Sequence, residues 1–274
     1  MKFKFLGTAA FEAIPALFCN CETCEKAREI GGKSVRTRSQ ALIDDCLMID
    51  FPPDTLIHIQ KNNIDMNKVR NCLITHSHSD HLYVGDMEIL GERYASTSDD
   101  YSITYYATKI AGKQIEGAAN DISKVRLHNV KPFDSLKADK YSVTVLPAIH
   151  DEESGPVIYQ IDDGENKVLY ALDTDFLHDD IWKYWERTSP YFNLVVLDCT
   201  NALKPLNYLG EHMSFYENIK VKNKMLSMGV AGENTKFVSN HFSHNGYNVL
   251  YEEFCEIAAK EGFLVSYDGM EIYL

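Results

Sequence analysis

The sequence predicts an α/β fold, because short apolar runs alternate with segments of helical periodicity along most of the chain. The apolar runs are rich in β-branched and aromatic residues and have the length of buried strands. We find no internal repeat, low-complexity tract or linker in the sequence. With 274 residues, 45% of them hydrophobic, the chain is long enough to bury one large core, so we expect a single domain over residues 1–274.

The predicted elements follow this alternation along the chain. Apolar runs predict strands, which we place at 2–6, 40–44, 46–50, 69–75, 141–149, 156–162, 167–172, 193–198, 236–240 and 263–274. Apolar residues at helical spacing predict helices at 82–95, 107–119, 214–228 and 246–260. The last helix would begin after an N-cap at Asn245 and end at Gly262. We interpret the Ser-rich and Tyr-rich segment 91–121 as an insertion at the surface, whose stretch YSITYY (101–106) forms a lid or a contact surface.

The charge balance is acidic and argues against broad contact with a polyanion. The chain has 27 Lys and Arg against 40 Asp and Glu, which gives a net charge of −13. Nucleic-acid affinity comes largely from basic side chains that neutralise phosphates, so a small-molecule substrate is expected rather than a nucleic-acid polymer. No segment has the ~20 apolar residues of a membrane span, and Glu12 and Pro15 interrupt the apolar N-terminal stretch. We therefore expect a cytoplasmic protein without membrane contact.

Seven cysteines, an odd number, favour a reducing compartment over a complete set of disulfides. Four of them lie in apolar strand-like or helical segments, where a buried free thiol is common: Cys46, Cys72, Cys199 and Cys255. The other three form the stretch FCNCETC and supply Cys19, Cys21 and Cys24. Three thiols at this spacing predict either one tetrahedral zinc site, a redox pair or buried thiols.

The stretch ITHSHSDHL, residues 74–82, carries the densest set of metal-competent side chains. It follows a strand-like run, so His76, His78 and Asp80 at alternating positions project the same way. The turn into the following helix brings His81 to the same place. Three imidazoles and a carboxylate this close would be unfavourable unless a cation lies among them, which predicts a metal site rather than a solvated loop.

HSHSDH is the His-x-His-x-Asp-His motif of the metallo-β-lactamase superfamily of binuclear hydrolases, which this chain resembles over most of its length. The resemblance implies a four-layer αββα sandwich. It also implies later ligands in a set order, and His150, Asp173 and His241 match them, each just after a predicted strand. Taken singly, His150 could be an ordinary loop residue, Asp173 a cap of a helix near residue 178, and His241 a cover for a helix N-terminus.

Carried over by position, the family's ligand sets imply two metals in the active site. One would be held by His76, His78 and His150, the second by Asp80, His81 and His241, with Asp173 bridging both. Such ligands suit zinc, manganese or iron. Two metals about 3.5–4 Å apart share a hydroxide nucleophile, so the implied chemistry is hydrolysis, with Asp80 and Asp173 as catalytic residues. The other histidines, His58, His128 and His178, are expected at the surface or as caps.

Within the superfamily, the cysteine cluster is similar to that of the phosphodiesterase of the carbon-phosphorus lyase pathway and of pyrroloquinoline-quinone (PQQ) biosynthesis protein B. Both carry such cysteines after a first loop containing Gly-Thr, here LGTAA. In that phosphodiesterase group the fourth ligand is a histidine three residues after the final active-site histidine, and His244 stands there. The resemblance thus implies one structural zinc bound by Cys19, Cys21, Cys24 and His244.

The same group has a histidine that contacts phosphate and protonates the leaving oxygen, and His212 in LGEHMSF matches its place before a helix. A helix-capping role for His212 is the alternative.

The expected function is a metal-dependent phosphodiesterase that cleaves small or cyclic phosphodiesters through a metal-bridging hydroxide. A PQQ-biosynthesis-B-like or iron-dependent oxidoreductase, a tRNA-processing-type nuclease, a β-lactamase and a metal-binding scaffold without turnover are the alternatives. The substrate, the active-site metal and the oligomeric state, a homodimer included, stay open at this point.

Overall fold

A computed structural model describes residues 1–91, 93–119, 122–204, 211–247 and 249–274 of the chain. The strands are β1 (Lys2–Gly7), β2 (Gln40–Ile43), β3 (Leu47–Ile49), β4 (Asn71–Leu73), β5 (Ile103–Thr108), β6 (Val125–Val130), β7 (Ser135–Ala138), β8 (Tyr141–Pro147), β9 (Val157–Asp162), β10 (Lys167–Ala171), β11 (Leu194–Asp198), β12 (Lys236–Asn240), β13 (Phe263–Val265) and β14 (Glu271–Tyr273). The α-helices are α1 (Glu22–Ile30), α2 (Thr55–Asn62), α3 (Lys109–Ala119), α4 (Asp179–Thr188), α5 (Phe215–Ser227) and α6 (Tyr251–Lys260).

Two seven-stranded sheets contain these strands. The first has the order β14-β1-β2-β3-β4-β5-β6, with β3 to β6 parallel and the remaining neighbours antiparallel. The second has the order β13-β12-β11-β10-β9-β8-β7, with β10 to β13 parallel and β7 to β10 antiparallel. It follows that β1, β3 and β4 end at one edge of the first sheet, and β8, β10, β11 and β12 at one edge of the second.

The sheets pack face to face, with helices on both outer sides. The inner core joins side chains of both sheets, among them Phe3 and Ile43 of the first and Tyr159 and Tyr170 of the second. The outer face of the first sheet packs against α3, and that of the second against α4, α5 and α6. Apolar faces on both sides of each sheet explain why central strands such as β2, β3, β4 and β11 are buried at every position. The four-layer αββα sandwich implied by the resemblance is confirmed.

The segment 91–121 was predicted as a surface insertion, and the structure contradicts this prediction. Residues 92, 120 and 121 of the segment lie outside the described residues. Its strand β5 is an internal strand of the first sheet, between β4 and β6. Tyr101, Tyr105 and Tyr106 are buried, so the stretch YSITYY is core and not a lid. Their phenol rings are buried as apolar groups, while the hydroxyls of Tyr101 and Tyr106 donate to backbone oxygens. The polar composition of the stretch therefore gave no sign that these side chains are buried. The extent of the domain, 1–274, stays a prediction.

Two predicted helices begin or end elsewhere. The helix expected at 82–95 is a short 3-10 helix, Val84–Leu90, and the one expected at 246–260 starts at Tyr251 after Leu250. Asn245 lies in a turn and does not cap α6, and Asn248 is outside the described residues. Among the helices that the structure describes, the longest has 13 residues, and none is long and apolar enough to cross a membrane.

Candidate active site

The predicted site residues come together where strands of both sheets end. The loops after β1 and β12 join there: Ala10 donates its backbone N–H to Phe242 O at 3.0 Å, and Phe242 donates to Thr8 O at 3.0 Å. Because β1 belongs to the first sheet and β12 to the second, these bonds close the sandwich at this edge. The strands fix the backbone on both sides while the loops aim the side chains.

His76, His78 and His150 form one cluster, with the first two after β4 and the third after β8. His76 Nε2 lies 3.0 Å from His78 Nδ1, and His150 Nε2 lies 3.2 Å from the same Nδ1. Nitrogens bound at their usual ~2.0–2.1 Å to one tetrahedral ion would be about 3.3–3.4 Å apart. The spacing of these three nitrogens therefore fits a shared metal.

Asp80, His81 and His241 form a second cluster, again with ligands from both sheets. His81 Nε2 lies 3.3 Å from Asp80 Oδ2 and 3.3 Å from His241 Nε2. The two facing Nε2 atoms belong to rings whose Nδ1 atoms lie close to buried carboxylates. That orientation presents the lone pairs of the Nε2 atoms to the same point, as metal ligation requires.

Asp173 lies between the two clusters. Its Oδ2 is 3.1 Å from His81 Nε2 and 3.1 Å from His241 Nε2, and its Oδ1 is 3.8 Å from His150 Nε2. Oδ2 is buried and accepts no hydrogen bond of acceptable geometry from any described residue. A buried carboxylate oxygen without a donor is costly unless a cation satisfies it. The position of the Asp173 carboxylate between the two clusters, and its unpaired Oδ2, fit the role of a ligand shared by two metals, which the resemblance implies.

The electrostatics of the centre attract positive charge. Burial disfavours a charged imidazole, but Asp173, Asp80 and Asp50 outweigh it and raise the pKa of His81 well above its ordinary value. Burial also disfavours a charged carboxyl, yet His241 and His81 hold the pKa of Asp173 well below its usual range. For His76, burial dominates and lowers the pKa well below its ordinary value. Carboxylates thus favour a cationic centre, whether that charge is a proton or a metal.

Asp50 supports the second cluster, and the sequence analysis did not identify it. Its Oδ2 lies 2.8 Å from His81 Nδ1, while its Oδ1 accepts the backbone N–H of Thr75 at 2.8 Å. A carboxylate behind a ligating imidazole fixes the ring and its tautomer. The available signal was the position of Asp50 directly after the apolar strand β3, at the same edge as His76.

Asp198, at the end of β11, was missed in the same way. Its Oδ2 lies 3.0 Å from His212 Nδ1, 3.5 Å from His241 Nδ1, and accepts the backbone N–H of Asp173 at 3.0 Å. The carboxylate is fully buried. One side chain therefore orients three of the predicted site residues.

Three of these residues have a left-handed backbone that non-glycine residues rarely adopt. Their φ angles are 65° at Asp50, 50° at Asp173 and 65° at His241. Such a conformation costs of order 1–3 kcal/mol and persists where the surroundings over-determine it. Other non-glycine residues of the structure share this conformation, so it accompanies the site and does not by itself identify it.

His212 lies at the wall of a cavity of about 350 Å³ that both clusters also line. Its ring centroid is 5.0 Å from that of His150 and 5.7 Å from that of His241. Burial lowers the pKa of His212, but Asp198 outweighs it and raises the pKa to about 9. His212 does not cap α5, because Ser214 and Glu217 form the capping box of that helix. His212 thus lies beside both clusters, and it forms a further metal-competent group with Asp173, Asp198 and His241, whose ligand atoms all lie within 4.8 Å of one another.

Cys19, Cys21, Cys24 and His244 converge at a third cluster, whose four donor atoms lie within 4.8 Å of one another. His244 Nδ1 is 3.6 Å from Cys19 Sγ and 3.3 Å from Cys21 Sγ, distances that suit ligands of one tetrahedral zinc. Burial raises the pKa of Cys21, but hydrogen bonds, chiefly the one with His244, outweigh burial and lower the pKa to about 6. Burial raises the pKa of Cys24 to about 12.

Of the remaining histidines, His178 and His128 lie as predicted and His58 does not. His178 accepts the N–H of Asp180 and caps α4, as its expected class allows, so Asp173 does not cap that helix. His128 lies on an exposed position of β6. His58, however, is buried, with Gln40 and Thr37 at its two ring nitrogens, which corrects its prediction as a surface or capping residue.

Comparison with known proteins gives a family match and structural neighbours. Residues 47–227 match the family described as "Beta-lactamase superfamily domain". No curated protein sequence matches the chain significantly.

Among solved structures, the fold is similar to a new diphosphatase from the PhnP family, with a TM-score of 0.75, 18% identity, and coverage of 100% of this chain and 97% of that one. It is similar to Zn²⁺-bound PqqB from Methylobacterium extorquens, with a TM-score of 0.70, 17% identity and full coverage of both chains. Human tRNase Z, short form, gives a TM-score of 0.68 and 14% identity over 100% of this chain and 99% of the other. At these identities the likeness concerns the fold.

Proposed function

We propose a phosphodiesterase function for this chain, which belongs to the metallo-β-lactamase superfamily of metal-dependent hydrolases. The proposed substrates are small or cyclic phosphodiesters. The observation that carries the proposal is the position of His212, on the cavity wall beside both His and Asp clusters, with its Nδ1 engaged by Asp198. A proton donor held beside a metal-competent centre is what cleavage of a phosphate ester requires.

The residues assigned to the metals are those that the clusters contain. His76, His78 and His150 would hold one ion, Asp80, His81 and His241 the other, and Asp173 would contact both. Two such ions supply a water-derived nucleophile and neutralise charge on the phosphoryl oxygens. Zinc, manganese and iron all suit these ligands, and a structural zinc is proposed at Cys19, Cys21, Cys24 and His244.

The chain's own residues orient the reaction. Asp198 accepts from His212 Nδ1, so Nε2 is the ring nitrogen available to donate a proton to the leaving oxygen of a bound diester. Asp50 holds His81 from behind, and Thr200 Oγ1, 2.8 Å from Nδ1, holds His241, with the Asp198 carboxylate 3.5 Å from the same nitrogen. These contacts keep the Nε2 atoms of both rings aimed at the centre. General acid catalysis of this kind contributes about 10²–10⁴-fold to the rate.

The cavity favours a small substrate over a polymer. Its volume of about 350 Å³ lies at the lower end of the range for small-molecule sites. Apart from the aspartates of the clusters, the acidic residues that line it among the described residues are Glu12 and Glu211, and none of the described lining residues is Lys or Arg. Without basic side chains, a nucleic-acid backbone has little to bind. Likeness to a diphosphatase fold supports a small phosphate ester or anhydride.

Turnover assays test the proposal directly. Purified protein loaded with Zn²⁺ or Mn²⁺ would be assayed with bis(p-nitrophenyl) phosphate, cyclic nucleotides and a dinucleoside diphosphate. We expect hydrolysis that is lost in the Asp80→Ala/His81→Ala variant and retained in His178→Ala, which alters only a helix cap. Activity that survives removal of Asp80 and His81 contradicts the proposal.

Other outcomes would select other members of the fold. Bound iron with an O₂-dependent spectral change would favour an oxidoreductase or a PQQ-biosynthesis-B-like protein. Cleavage of tRNA precursors without turnover of small diesters would favour a nuclease, and β-lactam hydrolysis a lactamase. Full metal occupancy with no hydrolysis of any ester would indicate a metal-binding scaffold. Each of these results replaces the phosphodiesterase proposal.

A further inference from the structure

We propose that Glu12 is a positioning residue that connects the cysteine cluster to the wall of the active-site cavity. Glu12 lines the cavity. Its Oε1 accepts a hydrogen bond from the Ser243 hydroxyl and lies 3.7 Å from His244 Nε2. The effect of Glu12 on hydrolysis rests on the function proposed above, whereas its effect on the cysteine cluster does not.

The two nitrogens of His244 face different groups. Nδ1 is directed to the thiols of Cys19 and Cys21, while Nε2 is directed to Glu12. When Nδ1 binds a metal, Nε2 carries the remaining ring proton, and a carboxylate is its natural acceptor. The distance of 3.7 Å exceeds hydrogen-bond length, so the contact is electrostatic here, and a shift of well under 1 Å converts it into a hydrogen bond.

A carboxylate behind a ligating imidazole does two things. It fixes the orientation and tautomer of the ring, and it raises the basicity of the nitrogen that faces the metal. Loss of such a partner typically weakens metal affinity about 10- to 100-fold. Glu12 is thus expected to strengthen metal binding at the cysteine cluster although it is not one of the four ligands.

Besides its contacts with Ser243 and His244, Glu12 lines the active-site cavity. The loop that carries it is held by backbone bonds to Phe242, next to His241, and by Arg38, whose Nε donates to Phe11 O at 2.7 Å. Ala13 follows with a φ of 63°, which turns the chain sharply after Glu12. About a quarter of the Glu12 side chain is exposed, and the residue lines the cavity. A displaced His244 or an empty cysteine cluster would therefore release one wall of the substrate site.

Two other glutamates provide matched controls. Glu22 opens α1 directly after Cys21, but its carboxylate pairs with Lys26 at 2.8 Å. Glu211 lines the same cavity as Glu12, but its carboxylate lies near His150, 3.8 Å from Nδ1. Glu22 thus matches Glu12 in proximity to the cysteine cluster, and Glu211 matches it in proximity to the cavity. Neither combines both contacts.

The first test measures metal affinity at the cysteine cluster alone. Cobalt(II) bound to thiolates gives a sulfur-to-metal charge-transfer band that His and Asp ligands do not give. The full chain would be loaded with Co²⁺ and titrated with a chelator while that band is followed. We expect about 10-fold weaker Co²⁺ binding in Glu12→Gln and no change in Glu22→Gln or Glu211→Gln. Equal affinity in Glu12→Gln and wild type overturns the proposal, and circular dichroism checks that each variant is folded.

The second test measures the connection to the cavity. We expect Glu12→Gln to raise KM for a turned-over diester by about 10-fold while kcat changes much less, because the wall and not the proton donor is altered. Combining Glu12→Gln with His244→Ala should raise KM no further than His244→Ala alone, since both remove the same connection. Additive effects on KM overturn the link. If the wild type hydrolyses no diester, the proposed function fails and the cobalt titration alone decides the role of Glu12.

Discussion

Oδ2 of Asp198 lies 3.0 Å from Nδ1 of His212, and this contact fixes the ring that we assign as proton donor. The same oxygen lies 3.5 Å from His241 Nδ1, so one buried carboxylate orients a ring of each kind, a proposed donor and a proposed ligand. Substitutions at Asp198 and His212 should therefore have different consequences, although the two residues touch.

We expect His212→Asn to lower kcat by about 10²–10⁴-fold with an unchanged metal content, because the variant lacks only the proton donor. Asp198→Asn should lower kcat and also weaken metal binding by about 10-fold, because His241 loses the nearby negative charge but keeps Thr200 Oγ1 at 2.8 Å from Nδ1. Parallel kinetics and elemental analysis of the two variants check this difference. Loss of metal from His212→Asn would show that the imidazole is itself a ligand.

The histidines at 241 and 244 should hold different metals. His244→Ala is expected to release the zinc of the cysteine cluster and leave the ions of the His and Asp clusters mostly bound, and His241→Ala the reverse. Zinc per chain, counted by elemental analysis, combined with the thiolate band of the cobalt form, distinguishes the two sites. If either variant loses every metal, the sites are not separate.

His58 should make stability depend on pH. Burial lowers the pKa of His58 to about 4, while Asp54 raises it and Lys61 lowers it to a smaller extent. In the unfolded chain, His58 takes up a proton near its ordinary pKa of about 6.5. The contribution of neutral His58 to the free energy of unfolding is therefore fully present above pH ~6.5 and is lost as the pH falls from there to about 4. The shift corresponds to about 3 kcal/mol.

Urea unfolding of metal-free protein between pH 7 and pH 4 measures this loss. His58→Gln should lose about 3 kcal/mol less over that interval than the wild type, whatever its stability at pH 7. A ring proton on Nδ1 at neutral pH, which the acceptor Gln40 Oε1 at 2.6 Å requires, is measurable by ¹⁵N NMR. Equal pH dependence in both proteins would contradict the assignment.

Two neighbouring tyrosines should respond oppositely to removal of their hydroxyls. Tyr170 and Tyr159 face each other across β10 and β9, and both are fully buried. The Tyr170 hydroxyl has no hydrogen-bond partner among the described residues, whereas that of Tyr159 donates to Ile74 O at 2.6 Å. Leaving a buried polar group unpaired costs about 1–3 kcal/mol.

Tyr170→Phe is therefore expected to raise the free energy of unfolding by about 1 kcal/mol, and Tyr159→Phe to lower it by about 1 kcal/mol. Chemical denaturation of both variants provides the measurement. A destabilised Tyr170→Phe would mean that its hydroxyl is hydrogen-bonded in solution.

The sequence allowed the fold and the meeting of the metal-competent side chains to be predicted because both depend on local signals. The HSHSDH motif is contiguous, and His150, Asp173 and His241 each follow an apolar run whose end is visible in the sequence. Strand β12, for example, has the predicted bounds 236–240. The structure places these side chains together, while their individual roles as ligands stay predictions.

Other features depend on tertiary contacts and could not be predicted in the same way. An aspartate that ends a strand, such as Asp50 or Asp198, looks like a turn residue until its partner ring, far away in the sequence, is placed. Strand β5 was hidden because its tyrosines and threonines read as polar, although the sheet buries them. The 3-10 helix at Val84–Leu90 was predicted as α because apolar spacing does not distinguish the two over so few residues.

The facing Nε2 atoms of His81 and His241, 3.3 Å apart, belong to loops of different sheets, so no short piece of the chain can reproduce this pair. An ion held there binds the folded chain and has little affinity for the unfolded one. By mass action, each tenfold rise in free metal above the dissociation constant adds about 1.4 kcal/mol to the free energy of unfolding. The amount of folded protein in a cell would then follow the supply of that metal.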